Sequence, residues 1–228
     1  MYKLIFTLIF CSLTHLYSVG LPVNLLTSTT RVSNLTLEMS KFKNEGFVSW
    51  TRSDKKITVI ESRRYTGKGW GKVEEVGQVS HPDPMTVFAI GGKRSYIAYR
   101  DEDGIWASLY KGGVWQDPER VTSSQNCKRL QIVSNSVDNN ILVWVEEGLD
   151  DAQICSSSYD GMSWSEPRYL RNVHEISELK LLATEEGICF LAWVDEKKLF
   201  VAEHRFGDWE EVNQISFGEE RVGAFDLA

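Results

Sequence analysis

The sequence is poor in the residues that build metal centres and redox sites. It has only 4 cysteines and 4 histidines in 228 residues, and no two cysteines form a CxxC arrangement. Zinc sites need several such ligands at short, defined spacings. We therefore predict that the protein binds no metal and needs no cofactor. The four histidines, which are scattered along the chain, are His15, His81, His174 and His204.

Positive charge is also in deficit. The chain has 25 lysines and arginines against 32 aspartates and glutamates, which gives a formal net charge of −7. Nucleic acids bind basic surfaces through their phosphates. The acidic balance therefore argues against a nucleic-acid partner and mainly favours solubility.

Long apolar runs are absent after the first twenty residues. Residues 1–20, MYKLIFTLIFCSLTHLYSVG, combine Lys3, an apolar run at residues 4–13, and small residues at Ser18 and Gly20. This pattern is typical of a secretory signal peptide and is too short to span a bilayer comfortably. We predict cleavage near Gly20, a mature chain that is secreted or lies in the periplasm or cell envelope, and no stable membrane insertion.

Cleavage at that point leaves three cysteines, Cys127, Cys155 and Cys189. An odd number permits at most one internal disulfide. Cys155 and Cys189 lie in apolar strand patterns, which favours buried free thiols. The pattern leaves the disulfide state open.

No stretch has the long 3.6-residue periodicity of an amphipathic helix, and the chain is instead a repeat. Trp70, Trp115, Trp164 and Trp209 follow one another at steps of 45, 49 and 45 residues. A fixed period in this range indicates stacked structural units.

Each repeat has the pattern of four short strands, A to D, bounded by Gly, Asp, Asn and Ser. Four antiparallel strands in about 47 residues form one blade of a β-propeller. We therefore predict an all-β fold, a β-propeller of about four four-stranded blades with the start of a fifth. The predicted repeats are residues 31–76, 77–122, 123–171 and 172–216, with a partial repeat at 217–228, all within a domain of residues 21–228.

Two further positions recur in every repeat. Strand B carries an aromatic residue, and strand C carries an apolar residue five positions before its last aromatic. We expect the recurring aromatics to pack between blades. The strand-B aromatics are Trp50, Tyr99, Trp144 and Trp193, and the strand-C residues are Ile60, Ile105, Ile154 and Val201.

Both ends of the chain carry part of a further repeat. Residues 21–28, LPVNLLTS, match strand D, and residues 221–228, RVGAFDLA, match strand A. The pattern fits a closed four-blade ring with overhanging strands, an open array, or a piece of a longer array. We expect the C-terminal strand to pack beside the fourth blade as the start of a fifth. Its unpaired edge would then permit self-association.

One hairpin resembles the Asp box of bacterial neuraminidase repeats, the units of sialidase-type propellers. That box reads Ser-x-Asp-x-Gly-x-Thr-Trp. The resemblance implies a propeller fold in which the box lies on the hairpin between strands C and D and has a structural role. Its Ser, Gly, Thr and Trp positions hold Ser157, Gly161, Ser163 and Trp164, while Tyr159 stands at the Asp position and Asp160 is displaced by one residue.

The resemblance does not extend to catalysis. A sialidase has an Arg-Ile-Pro segment, three arginines that bind a carboxylate, a Tyr–Glu nucleophile pair and an acidic Asp. This chain has no Arg-Ile-Pro, and its arginines fall at unlike places in the repeat. We identify no catalytic residue, and the sequence favours a protein that is not an enzyme.

Acidic residues follow strand B in every repeat. The turns between strands B and C gather on one rim of a propeller, where an acidic ring would bind a cation or a basic partner. Solvated turns also favour such residues, so the pattern alone does not separate the two interpretations. The candidate binding residues are Asp101, Asp103, Glu146, Glu147, Asp195 and Glu196.

Together, these features favour an exported, non-catalytic binding or scaffold module that recognises a glycan or a protein through loops on a rigid face. One alternative is a sialidase-like glycoside hydrolase, or a fragment of one. The other is a structural assembly unit that pairs through its end strands.

Overall fold

Short runs rich in Val, Ile, Thr and aromatic residues, separated by turn residues, dictate a chain of strands. The structure is a computed structural model that describes residues 31–40, 43–54, 57–80, 86–91, 94–134, 140–149, 151–184 and 186–216. Within these ranges the chain forms eighteen strands, and no helix there is long and apolar enough to cross a membrane. The predicted signal peptide, the strand-D-like residues 21–28 and the partial repeat 217–228 lie outside the described residues.

Each repeat folds as an antiparallel meander, in which strands that follow one another in sequence are neighbours in the sheet. Sheet 1 contains β1 (Arg31–Met39), β2 (Gly46–Asp54), β3 (Ile57–Tyr65) and β4 (Trp70–Val79). Sheet 2 contains β5 (Thr86–Ile90), β6 (Ser95–Asp101), β7 (Gly104–Lys111), β8 (Val114–Trp115) and β9 (Glu119–Thr122). Sheet 3 contains β10 (Cys127–Ser134), β11 (Asn140–Glu147), β12 (Ala152–Tyr159) and β13 (Arg168–Val173). Sheet 4 contains β14 (Ile176–Ala183), β15 (Cys189–Asp195), β16 (Lys198–Arg205), β17 (Asp208–Trp209) and β18 (Asn213–Gln214).

The outermost strand is split in two of the sheets. In sheet 2, β8 and β9 both pair with β7, and in sheet 4, β17 and β18 both pair with β16. Each split strand occupies the fourth position of its sheet, so all four sheets have the four-position order of a propeller blade. The predicted all-β class with four blade-like sheets is confirmed.

The four sheets stack in sequence order, with the innermost strands β1, β5, β10 and β14 beside one another. A sheet buries a face only by packing on another layer. Three apolar clusters fill the contacts between sheets 1 and 2, sheets 2 and 3, and sheets 3 and 4, and we call them the first, second and third interfaces. Their largest members are Phe47, Phe88 and Tyr99 in the first, Tyr96, Trp144 and Tyr159 in the second, and Trp193, Phe200 and Leu191 in the third.

The strand-B aromatic of a sheet faces the preceding sheet. Tyr99 of sheet 2 lies in the first interface, Trp144 of sheet 3 in the second, and Trp193 of sheet 4 in the third. All three are buried, the two tryptophans completely. The expectation that these aromatics pack between blades is therefore confirmed for these three residues.

The strand-C alignment of the fourth repeat was wrong by two residues. Tyr65, Tyr110 and Tyr159 pair with the tryptophans five residues later, and the residue that pairs in this way with Trp209 is His204. Phe206, which the sequence suggests as the last aromatic of strand C, is fully exposed in the turn with φ of 52°. The equivalent of Ile105 is accordingly Leu199, since its neighbour Phe200 pairs with Trp193 as Trp106 pairs with Tyr99.

Cys127, Cys155 and Cys189 are buried free thiols. Burial raises the pKa of Cys127 to about 11 and the pKa values of Cys155 and Cys189 to about 12. The thiolate is the reactive form of cysteine, so these side chains behave as small apolar groups at neutral pH.

Trp144→Ala should destabilise the protein by about 3–5 kcal/mol, because it empties a large aromatic site in the second interface. Urea unfolding of the two proteins would measure the difference. A loss below about 1 kcal/mol would contradict the burial of this side chain.

The three buried thiols should not react with an aromatic disulfide reagent at pH 8 until the protein is unfolded, when they should react together.

The stability of the protein should also depend on pH through these thiols. Because their pKa values are raised in the folded state, their contribution to stability is fully present below about pH 8.5, the pKa of a thiol in the unfolded chain. That contribution is lost as the pH rises towards 11–12. The urea concentration at the midpoint of unfolding should therefore fall above about pH 9. Rapid reaction of the thiols in the native protein would contradict their burial.

Candidate functional site

The candidate site starts at the tight turn between strands B and C of sheet 2. Asp101 pairs with Gly104, so Glu102 and Asp103 form a two-residue loop. Gly104 has φ of 139°, and a Cβ there would lie 1.9 Å from the carbonyl oxygen of Thr122. Glycine is therefore required at residue 104, because the backbone approaches the outer strand too closely for any side chain. This close approach holds the turn against the outer strand of the same sheet.

Asp101 ties this turn to the chain that leaves sheet 1. Its Oδ1 accepts hydrogen bonds from the backbone N–H groups of Ser80 (3.0 Å) and Glu102 (2.8 Å). Asp195 does the same in sheet 4, where its Oδ1 accepts hydrogen bonds from His174 (3.0 Å) and Glu175 (2.8 Å). The recurring acid after strand B therefore holds the linker between consecutive sheets at these two positions.

A cleft of about 240 Å³ opens between sheets 1 and 2 beside this turn. We call it the Tyr99 cleft. It is smaller than the pockets of drug-sized ligands, which run from about 300 to 1,000 Å³, so it suits one ring of a larger molecule. The lining residues are Gly77, Gln78, Tyr99, Asp101, Asp103, Trp106 and Pro118.

The Tyr99 hydroxyl lies at the edge of the first interface and lines the cleft. The residue is only 3 % exposed, and its hydroxyl makes no hydrogen bond with any described residue. Gly77 leaves the space that it occupies, because a Cβ at residue 77 would lie 2.8 Å from the hydroxyl oxygen. Burial, and then the nearby carboxylates of Asp101 and Asp103, raise the pKa of Tyr99. The hydroxyl therefore stays protonated and can both donate and accept a hydrogen bond.

Trp106 forms a half-buried wall of the cleft. Its Nε1 donates a hydrogen bond of 2.9 Å to Oδ1 of Asp103, and its ring packs against the first interface. The hydrogen bond fixes both side chains, so an aromatic surface and a carboxylate are held beside each other before any ligand arrives.

The other described sheets do not repeat this combination. The residue that pairs with the strand-B aromatic is Trp106 in sheet 2, but it is Glu61 in sheet 1, Cys155 in sheet 3 and Phe200 in sheet 4. Phe200 stacks on Trp193, with ring centroids 5.6 Å apart, and the Arg171 guanidinium lies over its ring. The repeat thus supplies the scaffold, and sheet 2 alone among these four places a hydroxyl, an indole and two carboxylates together.

The remaining predicted acidic residues have separate local roles. Glu146 is half-buried next to the Cys155 thiol (3.9 Å), and Glu147 forms an exposed ion pair with Lys128 (2.6 Å). Glu196 is exposed in a turn with φ of 48°. Among the described residues, no group of three or more His, Cys, Asp or Glu side chains could hold a metal ion.

A second cavity of about 210 Å³ lies between sheets 2 and 3, near the strand C to strand D hairpins. Tyr96, Tyr159 and Trp164 line it, and their rings contact one another at centroid distances of 5.4–6.3 Å. Lys111, Gln116, Asp117 and Glu119 also line this cavity, so it holds a cation beside its acidic residues, whereas no arginine or lysine lines the Tyr99 cleft.

The hairpin that resembles an Asp box is built by the displaced aspartate. Oδ1 of Asp160 accepts hydrogen bonds from the backbone N–H groups of Met162 (2.8 Å) and Ser163 (2.9 Å). These bonds lower the pKa of Asp160. Its position in the hairpin is consistent with a structural role, away from the Tyr99 cleft.

Sequence reasoning identified Asp101 and Asp103 but missed Trp106, Gln78 and Pro118. Trp106 had a signal, since it follows the Asp101–Gly104 turn by two residues and pairs with the recurring aromatic. Gln78 and Pro118 had none, because they reach the cleft from the outer strand of sheet 1 and from the loop before β9.

No protein-family model matches the sequence, and no curated protein sequence matches it. Solved structures share the fold at low identity. A protein of unknown function from Dyadobacter fermentans is 12 % identical, with a TM-score of 0.52 over 82 % of this chain and 70 % of that one.

Two carbohydrate-active proteins are more distant in fold. The bifunctional GH43-CE protein of Bacteroides eggerthii is 13 % identical, with a TM-score of 0.45, over 77 % of this chain and 25 % of its own. The polysaccharide lyase Uly1 is 10 % identical, with a TM-score of 0.49, over 84 % of this chain and 51 % of its own. The chain thus spans about a quarter and about half of these proteins.

Asp195→Ala should cost more stability than Asp101→Ala. Asp195 is 7 % exposed and its backbone partners are partly buried, whereas the N–H groups bound by Asp101 are exposed and can bind water instead. We expect a loss of about 1–3 kcal/mol for Asp195→Ala and at most about 1 kcal/mol for Asp101→Ala in urea unfolding. Equal losses of stability would show that the backbone hydrogen bonds of Asp101 and Asp195 are equally buried in solution.

Proposed function

We propose that this chain is an exported, non-catalytic β-propeller module that binds a glycan in the Tyr99 cleft. The observation that carries the proposal is the Tyr99 hydroxyl, which lines the cleft, has no hydrogen-bond partner among the described residues and lies beside an indole and two carboxylates. Because none of the described residues bonds this hydroxyl, a ligand in the cleft can pair with it directly and gain a hydrogen bond.

The lining chemistry favours a sugar ring over other small ligands. A sugar presents an apolar C–H face that packs on an indole, and hydroxyls at its edge that donate to carboxylates. The Tyr99 cleft offers Trp106 for the face, and Asp103 with the Tyr99 hydroxyl for the edge. The amide of Gln78 adds a group that both donates and accepts.

The charge of the cleft favours a neutral sugar or an amino sugar. Asp101 and Asp103 line it, and none of its lining residues is an arginine or a lysine. A sialic acid or a uronic acid would place its carboxylate near two others without a cation. The Tyr99 cleft therefore lacks the arginines that a sialidase substrate requires, and binding without hydrolysis is the function that we propose.

Tyr99→Phe should weaken glycan binding about three- to tenfold, because it removes one hydrogen bond and leaves the shape of the cleft intact. A glycan array would first identify a neutral or amino-sugar oligosaccharide that binds, and calorimetric titration would then compare the variants. The stability of Tyr99→Phe should be unchanged or slightly higher, since none of the described residues forms a hydrogen bond with the lost hydroxyl.

Tyr65→Phe is the matched control, because the Tyr65 hydroxyl bonds to the carbonyl of Gly67 on the hairpin of sheet 1, outside the cleft. It should leave affinity unchanged. Binding confined to sialylated glycans, absence of any glycan binding, or equal affinity of Tyr99→Phe and the wild type would each reject the proposal. Release of sugar from a fluorogenic sialoside would support the hydrolase alternative instead.

A further inference from the structure

The strand-D tryptophans bond to a serine of the preceding sheet in the first and third interfaces. Nε1 of Trp115 donates a hydrogen bond to Oγ of Ser62 (2.6 Å), and Nε1 of Trp209 donates one to Oγ of Ser156 (3.0 Å). Both serines hold the same place in strand C, three residues before the residue that pairs with the tryptophan of their own sheet. The repeat thus supplies an acceptor for the indole N–H at these two interfaces.

The second interface lacks this hydrogen bond. In sheet 2 the place of the serine is held by Ala107, three residues before Tyr110, so the tryptophan of the next sheet, Trp164, meets no hydroxyl there. Ala107 and Trp164 both pack in the second interface, and no described residue accepts a hydrogen bond from Nε1 of Trp164. An indole N–H only donates, so it needs an acceptor from elsewhere.

The cavity of about 210 Å³ between sheets 2 and 3 lies at this point, and we call it the Trp164 cavity. Ala107 and Trp164 both line it. Pockets for drug-sized ligands run from about 300 to 1,000 Å³, so this cavity suits a molecule of one ring. The replacement of serine by alanine therefore coincides with space for a ligand beside the indole N–H.

Tyr159 brings a second polar group to the cavity. The residue is 7 % exposed and lines the cavity, and its hydroxyl forms no hydrogen bond with any residue in the described ranges. Burial, and then the carboxylate of Glu119, raise the pKa of Tyr159. The hydroxyl is therefore protonated at neutral pH and can both donate and accept. Polar groups in such surroundings are normally bonded, so a molecule in the cavity has two groups to satisfy.

Glu119 lies beside the place where strand C lacks the serine. It pairs with Ala107 between β9 and β7, and the side chains of directly paired residues project from the same face of a sheet. An alcohol oxygen in the cavity can therefore accept a hydrogen bond from Nε1 of Trp164 and donate one to Glu119. Lys111 and Asp117, which are exposed and also line the cavity, can bond further hydroxyls. The polar groups thus match a molecule with several hydroxyls.

The walls of the cavity favour a ring with an apolar face. Three aromatic side chains line it, Tyr96, Tyr159 and Trp164, with ring centroids 5.4–6.3 Å apart. Leu109 adds an aliphatic surface. A sugar ring combines a C–H face for such walls with hydroxyls at its edge, whereas an inorganic ion has no apolar face.

We propose that the Trp164 cavity is a second sugar-binding site, in which a ligand hydroxyl takes the place of the serine Oγ found at the other two interfaces. Trp106 packs against the first interface and Ala107 lies in the second, so the Tyr99 cleft and the Trp164 cavity are on opposite faces of sheet 2. The class of ligand rests on the glycan binding proposed above, but the two sites use different residues.

Indole N–H signals in the nuclear magnetic resonance spectrum of isotope-labelled protein test both sites in one titration. The probes are neutral oligosaccharides of glucose, galactose, mannose and N-acetylglucosamine. Binding in the Trp164 cavity should shift the signal of Trp164, and binding in the Tyr99 cleft should shift that of Trp106. Shifts at Trp106 alone would overturn this proposal and leave the Tyr99 cleft as the site. Shifts at Trp164 alone would support this proposal and reject the Tyr99 cleft, and no shift at either would overturn both.

Ala107→Ser should close the site, because its hydroxyl would accept the hydrogen bond from Trp164 as Ser62 and Ser156 do from their tryptophans. Sugar affinity at Trp164 should fall at least about tenfold, and Trp164→Phe, which keeps a ring without the N–H, should lower it about three- to tenfold. Ser156→Ala is the matched control, since it removes the same hydroxyl from the third interface and should leave that affinity unchanged. Equal affinity of Ala107→Ser and the wild type would overturn the proposal.

The protein without sugar gives a separate check. Hydrogen exchange of the Trp164 indole N–H should be faster than that of Trp115 and Trp209, and Ala107→Ser should slow it. Equal protection of the three indoles would show that a group of the chain already accepts the hydrogen bond, and would overturn the proposal. Higher stability of Ala107→Ser, without any sugar-dependent shift of Trp164 in the wild type, would show that only water fills the cavity and would also overturn it.

Discussion

Sheets 2, 3 and 4 each insert a large aromatic residue from strand B into the interface with the sheet before them. A four-stranded sheet has two apolar faces and no means of covering either one alone. Tyr99, Trp144 and Trp193 are among the largest buried residues of these interfaces, and the strand-D tryptophans Trp115, Trp164 and Trp209 pack against the same clusters. Each interface needs one aromatic residue from strand B and one tryptophan from strand D. The sequence therefore repeats with the same period as these contacts.

The fold could be predicted from the sequence because this constraint is repeated. The steps between Trp70, Trp115, Trp164 and Trp209 reveal the number of sheets, and the turn residues reveal the meander. The alignment of strand C in the fourth repeat failed because Phe206 resembles the missing aromatic, whereas the constant quantity is the five-residue step between the paired residues, here His204 and Trp209. Identity of residue type was a weaker guide there than hairpin length.

Only part of the candidate site could be predicted from the repeat in this way. Asp101 and Asp103 were found because acidic residues recur after strand B, but recurrence itself reflects a structural role, as the backbone clamps of Asp101 and Asp195 show. What distinguishes sheet 2 is a departure from the repeat: Trp106 replaces the smaller or non-aromatic residues at its position, and Gly77 on another sheet makes room for a hydroxyl. Such a combination joins residues from two sheets, and no spacing along one repeat reveals it.

The order of the sheets has a kinetic consequence. Each of the three interfaces joins repeats that are neighbours along the chain, so the loops that must close during folding stay short, and their entropic cost grows slowly with length. A pair of adjacent repeats is the smallest unit that buries a complete interface, and further sheets can then add one at a time. A pulling force applied at the two termini would likewise meet the stack as separate units, and sheets would detach from an end in sequence order.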